Sequence, residues 1–152
     1  MDPGCLIFRP PSPEHLPALK VLLAQVGLPT EGLAERPTTG ILAWDGESLV
    51  GSALLERYGD TGLLRSVAVA PAWQGKGVGR HLVGTVLREV RAAQTCRRIY
   101  LLTETAVPFF ARLGFRRIGR DQVEPRIRRS AEFAHVCPTS AQAMVWEPQE
   151  PG

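Results

Sequence analysis

The stretch Val67-Ala-Val-Ala-Pro-Ala-Trp-Gln-Gly-Lys-Gly-Val-Gly-Arg-His81 constrains this chain more than any other. Its first residues have the β-branched character of a strand end. Pro71 turns the chain, residues 74–79 are glycine-rich, and apolar residues recur at helical spacing from Val78 onward. A strand, a glycine loop and a helix in that order build an anion site. Glycine permits backbone conformations that turn N–H groups toward a ligand. A helix start adds free N–H groups and the positive end of its dipole. Lys76 and Arg80 add full charges beside them. A turn that only led into a packing helix would need neither the alternating glycines nor the two cations, so the combination asks for phosphate.

Spacing narrows the ligand. A P-loop needs glycine, four residues, then Gly-Lys-Ser/Thr, but Gly77 is followed by Val78. A dinucleotide fingerprint needs a third glycine three residues after the second. From Gly75 and Gly77 that place is Arg80, and from Gly77 and Gly79 it is Leu82. Both patterns fail. Gln74-x-x-Gly77-x-Gly79 remains, and it resembles the acetyl-coenzyme A motif of the GNAT N-acetyltransferases, whose loop holds the pyrophosphate.

The chain has 152 residues, enough for one domain with a proper core, and residues 1–152 are read as a single domain. Its hydrophobic content of 44% and charged content of 22% are ordinary for a globular protein. No apolar run approaches a membrane span, and the start Met1-Asp-Pro-Gly-Cys5 lacks the pattern of a signal peptide. Cys5, Cys96 and Cys137 are far apart and show no metal spacing with His15, His81 or His135. The expectation is a cytoplasmic protein without a metal. Residues 97–129 hold nine arginines, at 97, 98, 112, 116, 117, 120, 126, 128 and 129. They suit a polyanionic ligand or simply form a solvated surface. No motif or aromatic interleaving supports nucleic acid.

Element signals follow one another along the chain. Leu6-Ile-Phe-Arg9 reads as a strand. Ser12-Pro13 opens a helix whose apolar positions are Leu16, Leu19, Leu22, Leu23 and Val26, closed by Gly27 and Pro29. Pro17 would tighten or kink its first turns. A short helix is expected around residues 32–35. Residues 40–44 and 48–57 read as a hairpin about Asp45-Gly46, and Gly59-Asp60 turns the chain into a strand over residues 63–69. The helix after the glycine loop places Val78, Leu82, Val83, Val86, Leu87 and Val90 on one face. A strand over residues 98–102 follows, then a helix over residues 107–113 capped by Thr105 and ended by Gly114. A strand over residues 115–118, a helical stretch over residues 120–134 around residues 125–133, and a strand over residues 142–146 complete the chain. This is an α/β domain with a mixed sheet of about seven strands flanked by helices.

That order also resembles the GNAT fold over nearly the whole chain. Phe109-Phe-Ala-Arg-Leu-Gly-Phe115 looks like the family helix that ends in Leu-Gly-Phe near the thioester. A narrower likeness runs through Leu54-Leu-Glu-Arg-Tyr-Gly-Asp60, Leu63-Leu-Arg-Ser-Val67, Leu101-Leu-Thr-Glu-Thr105 and Arg129-Ser-Ala-Glu-Phe-Ala-His-Val-Cys-Pro-Thr-Ser140. These segments resemble the GNAT branch of arsenic-resistance operons, itself similar to amino-acid N-acetyltransferases.

The resemblance implies a sheet splayed between its fourth and fifth strands, with acetyl-CoA in the splay. Val67, Ala68 and Val69 would face the pantetheine, and a backbone N–H there would stabilise the oxyanion formed during transfer. Gln74, Gly75, Lys76, Gly77, Val78, Gly79 and Arg80 would hold the pyrophosphate. Many relatives place a tyrosine acid where this chain has Phe110. A thiol with a pKa of about 8.5 leaves with little assistance, and Phe110 is expected to line the cofactor site. Glu56 and Glu104, at strand ends, are the candidate general bases. Arg65 could hold a substrate carboxylate or pair across the sheet. Ser66, Thr103 and Cys137 are further candidate substrate contacts. The implied activity is acetyl transfer from acetyl-CoA to the primary amine of a small amino-acid-like molecule, an arsenical among the candidates. The alternatives are a peptide or protein N-acetyltransferase and a non-catalytic acyl-CoA-binding module. The expected partner is a small amine, without nucleic acid or membrane, and a homodimer stays open.

Overall fold

The computed structural model describes residues 3–30, 32–33, 38–130, 133 and 141–148, with Thr38 described by its backbone alone. Among them, strand β1 covers Ile7–Arg9, β2 Thr38–Asp45, β3 Ser48–Tyr58, β4 Thr61–Val69, β5 Arg98–Thr103, β6 Arg116–Ile118 and β7 Gln142–Trp146. The helices are α1 at Leu16–Gln25, α2 at Val78–Ala93, α3 at Val107–Arg112 and α4 at Pro125–Arg128. The strands form one sheet in the order β1-β2-β3-β4-β5-β7-β6. Only β4 and β5 pair in parallel, through the crossover helix α2, while the other neighbours run antiparallel. This is the expected seven-stranded mixed sheet with flanking helices.

Alternation along the strands divides the core. Ala53, Leu55, Leu64, Ile99, Leu101 and Met144 turn to one face and pack under α2 and α3. Leu42, Leu54 and Ala68 turn to the other and meet Leu19, Leu22 and Leu23 of α1. Farther along that alternation, Leu63, Tyr100, Ala143 and Val145 meet Val123 and Ile127. Helix α2 buries all six of its expected apolar positions, Val78, Leu82, Val83, Val86, Leu87 and Val90. Each such burial contributes on the order of 1.5–3 kcal/mol, enough to hold a sixteen-residue helix whose other face is charged.

The local chemistry explains the boundaries and several departures from expectation. Pro13–His15 form a 3-10 turn, and α1 begins only at Leu16, with Pro17 in its first turn where a missing N–H costs nothing. Thr105 does not cap α3. The cap residue is Ala106, and its N–H donates to Thr103 Oγ1 at 3.1 Å. Helix α3 ends as Leu113-Gly114-Phe115 requires. Gly114 adopts φ +101, Gly114 N–H donates to Ala111 C=O, and Phe115 N–H donates to Phe110 C=O, each at 3.1 Å. The Phe110 and Phe115 rings then meet edge to face at 5.7 Å, the hydrophobic contact of a Schellman ending. Within the helical stretch expected over residues 120–134, a 3-10 turn at Arg120–Gln122 precedes α4, Arg129 and Ser130 turn away, Phe133 is helical, and residues 131, 132 and 134 lie outside the described residues. Ile127 is the buried residue of α4, set between Arg126 and Arg128, and it packs in one cluster with Val123 and Phe133. Where a short helix was expected near residues 32–35, Gly32 and Leu33 form a turn and residues 34 and 35 lie outside the described residues, as does Cys137 with most of its segment. No helix among the described residues is long and apolar enough to cross a membrane.

The arginine-rich half is largely committed to internal partners. Arg97 and Arg126 meet Asp60 and Glu124, Arg98 and Arg116 meet Glu147, and Arg120 donates to Ala141 C=O. Arg97, Arg116 and Arg126 nevertheless stay exposed, and Arg98 partly so, as a solvated arginine-rich surface would have them.

Candidate functional site

Pairing between β4 and β5 stops early. Thr61 meets Arg98, Gly62 meets Ile99 and Leu63 meets Tyr100, and no sheet pairing follows. Both strands run on, β4 to Val69 and β5 to Thr103. A central sheet thus opens in its middle, leaving one edge of β4 without a strand partner in the interior, where backbone groups need partners. The gap is the splay that the family resemblance implied. It forms a cleft of ≈ 1070 Å³.

A bulge shapes the β4 wall. Ser52 pairs with Ala68 and Leu54 with Arg65, so Ser66 and Val67 together face Ala53. Ser66 has φ +55, and its carbonyl accepts a hydrogen bond of 2.6 Å from the Ser52 hydroxyl. The extra residue re-aims the strand at the point where it leaves β5.

The glycine loop closes one end. A 3-10 turn at Pro71–Trp73 is anchored by the buried Trp73. Gln74 Nε2 donates to Val69 C=O at 3.0 Å, so this side chain clasps the loop onto β4 and leaves the backbone to face a ligand. Gly75 and Gly77 adopt φ +78 and +82, and a Cβ at either would meet nothing within 4 Å. These residues are glycine for conformation, not for lack of room. The first intrahelical bond of α2 runs from His81 N–H to Gly77 C=O. The N–H groups of Val78, Gly79 and Arg80 therefore have no acceptor within the helix. Together with the exposed Arg80 they present positive charge to the cleft.

The cleft brings together most of the residues singled out in the sequence. Val67, Ala68, Val69, Gln74, Gly75, Gly77, Val78, Gly79, Arg80 and Phe110 line it, as do Arg65, Ser66, Thr103 and Glu104. Lys76 is exposed and lies off its walls. Glu56 is also off the walls, because it stands behind Arg65. Arg65 Nη1 donates to Glu56 Oε2 at 3.3 Å, and the Tyr58 hydroxyl donates to Glu56 Oε1 at 3.0 Å. The Arg65 and Glu56 side chains are 1% and 4% exposed. Thr103 lends its hydroxyl to the start of α3. Phe110 is buried and stacks edge to face on Phe109 and Phe115.

Sequence reading missed two walls. Val26, Gly27, Leu28 and Pro29 line the cleft, although Gly27 and Pro29 were legible only as a helix stop. Phe109 lines it too, and a Cβ on Gly79 would lie 3.5 Å from its ring. The paired aromatics at 109 and 110 were the available signal, and they could not say which helix start they would meet.

This cleft suits a long ligand with a phosphate-bearing end. Its walls offer an open strand edge, an apolar floor at Phe110, and a cradle of N–H groups with a cation. The sequence signature of the Acetyltransferase (GNAT) family matches residues 7–115, and the chain belongs to that family.

Among its relatives is the amino-acid acetyltransferase of Mycobacterium tuberculosis, 42% identical over 85 residues, which are 56% of this chain and 45% of that protein. The N-alpha-acetyltransferase RimI of the same organism is 31% identical over 81 residues, 51% of each chain. The chain thus spans about half the length of these curated relatives. A solved structure of Mycobacterium tuberculosis Rv2747 in complex with CoA superposes with a TM-score of 0.73 at 25% identity, covering 93% of this chain and 98% of that one.

Proposed function

We propose that this chain transfers the acetyl group of acetyl-CoA to the primary amine of a small, amino-acid-like molecule. The observation that carries the reading is the opening between β4 and β5, ended by the glycine loop and the free N–H groups of α2. Bound acetyl-CoA supplies an acetyl group already activated as a thioester. The N–H groups of residues 75–80 and the Arg80 guanidinium hold its pyrophosphate. Val67, Ala68 and Val69 offer backbone groups along the open strand edge, and an N–H there stabilises negative charge developing on the acetyl oxygen. Phe110 contributes apolar surface and has no proton to give.

On the acceptor side, Glu104 stands on the cleft wall just after β5 and is exposed. We assign it the general-base role, direct or through water. Glu56 is instead the counter-ion that, with the Tyr58 hydroxyl, fixes Arg65. Arg65 faces the cleft and binds an acceptor carboxylate. The amino-acid acetyltransferase among the relatives supports an amino-acid acceptor, and the resemblance to the arsenic-resistance branch extends the candidates to arsenical amino acids.

A second reading, acetylation of a peptide N-terminus, is favoured by the similarity to RimI. One experiment separates them. The chain is incubated with acetyl-CoA and a panel of free amino acids, arsenical amino acids, polyamines and peptides, with products read by mass. We expect an added acetyl group on one or more free amino acids. Acetylation of peptides alone would overturn the small-molecule acceptor, and no acetylated amine at all would leave an acyl-CoA-binding module.

A further inference from the structure

Among the described residues, two that are not glycine have positive φ, Ser66 and Gln94. Gln94 caps the end of α2, where a left-handed residue is ordinary. Ser66 is different, because it lies inside β4, in the bulge opposite Ala53. A left-handed residue with a Cβ is unfavourable there unless its surroundings impose it. The imposing contact is visible. Ser52, fully buried on the neighbouring strand, donates its hydroxyl to Ser66 C=O at 2.6 Å.

Among the described residues, the Ser66 side chain gains no partner in return. Ser66 is 6% exposed, and its Oγ is buried with no hydrogen-bond partner among the described residues. A buried hydroxyl without a partner weakens a fold. Alanine would avoid that penalty, and glycine would avoid the backbone strain as well. Yet Ser66 lies on the cleft wall, next in the chain to Arg65, which lines it too. An unpaired donor beside a cation fits an oxyanion on whatever enters.

We propose that the Ser66 hydroxyl is an acceptor-binding group that donates a hydrogen bond to a carboxylate or similar oxyanion on the amine substrate, and that Ser52 is the positioning residue that pins the bulge and aims it. The proposal rests on the reading of the cleft as an amine acetyltransferase site and adds a named recognition element to it.

The test is steady-state kinetics with free L-amino acids and, in parallel, the matching amino-acid amides, on the wild type and on Ser66→Ala, Ser52→Ala and Ser52→Thr. For Ser66→Ala, KM for the free amino acid rises by about tenfold, KM for acetyl-CoA stays unchanged, and the amides lose no further ground. The melting temperature of Ser66→Ala holds or rises, because a buried unpaired hydroxyl has been removed. Ser52→Ala shifts acceptor KM in the same direction, and Ser52→Thr, which keeps the hydroxyl, restores it. An unmoved amino-acid KM in Ser66→Ala, with the wild type active, would overturn this inference alone. So would a fall in melting temperature with both substrates' KM raised, which marks a structural role. A wild type that acetylates no amine would overturn both the inference and the functional reading beneath it.

Discussion

Glu56 and Asp60 both meet arginines, in opposite settings. Glu56 and Arg65 are buried together. Their charges compensate, and each would be strongly unfavourable without the other. Asp60 is exposed at the turn between β3 and β4. It accepts Arg97 Nε at 2.6 Å and Arg126 Nη2 at 3.0 Å. Those hydrogen bonds, Arg126 first, hold its carboxyl below the ordinary 3.8. A carboxylate whose folded pKa is depressed adds stability above its unfolded pKa and loses it as pH falls through the folded value. Asp60→Asn therefore lowers the melting temperature near neutral pH, and its gap from the wild type closes below about pH 3.8. Thermal melts from neutral to acidic pH check this, and a gap that stays constant with pH would contradict it. The sequence singled out Glu56 as a strand-end carboxylate. It also left Arg65 free to pair across the sheet, and the regular register running back from the Gly59-Asp60 turn, from Tyr58 opposite Thr61 to Leu54 opposite Arg65, is what sets Arg65 diagonal to Glu56.

At the scale of elements, legibility followed the strength of the local pattern. Helix α2 was readable to its last buried residue because six apolar positions repeat on one face. The start of the segment after β6 was not, since α4 contributes a single buried side chain and no repeating apolar face marks its bounds. The ending of α3 was readable in kind, as a glycine stop, while its cap was misplaced. Thr105 has the chemistry of a cap, yet Ala106 takes the cap position and donates its N–H to Thr103 Oγ1, a contact that only the path of the chain leaving β5 sets. The glycine stop carries its own test. Gly114 has φ +101, and a Cβ there would lie 3.3 Å from Trp146 Cδ1. Gly114→Ala is expected to destabilise the chain by about 1–3 kcal/mol through backbone strain and that contact. A denaturation midpoint equal to the wild type's would show that the turn is not held in this conformation.

At the scale of the whole molecule, the sequence supplied the elements and their order but not the arrangement that matters for function. Nothing local to residues 64–69 or 101–103 says that two parallel strands part after three paired residues. Likewise nothing local places β7 between β5 and β6. The splay entered through resemblance, and the register now gives it a physical form. It is a sheet opened along one edge of β4, with a bulge at its hinge and a helix N-terminus at its end.

Calorimetric titration of acetyl-CoA into the wild type and Gly77→Asp tests that form most directly. Gly77 has φ +82 and precedes the free N–H groups of α2. A carboxylate there faces the pyrophosphate with like charge, which costs several kcal/mol. The account predicts saturable one-site binding to the wild type and a weakening of at least about a hundredfold in the folded variant. Acetyl-CoA that fails to bind the wild type, or binds both proteins equally well, would contradict it.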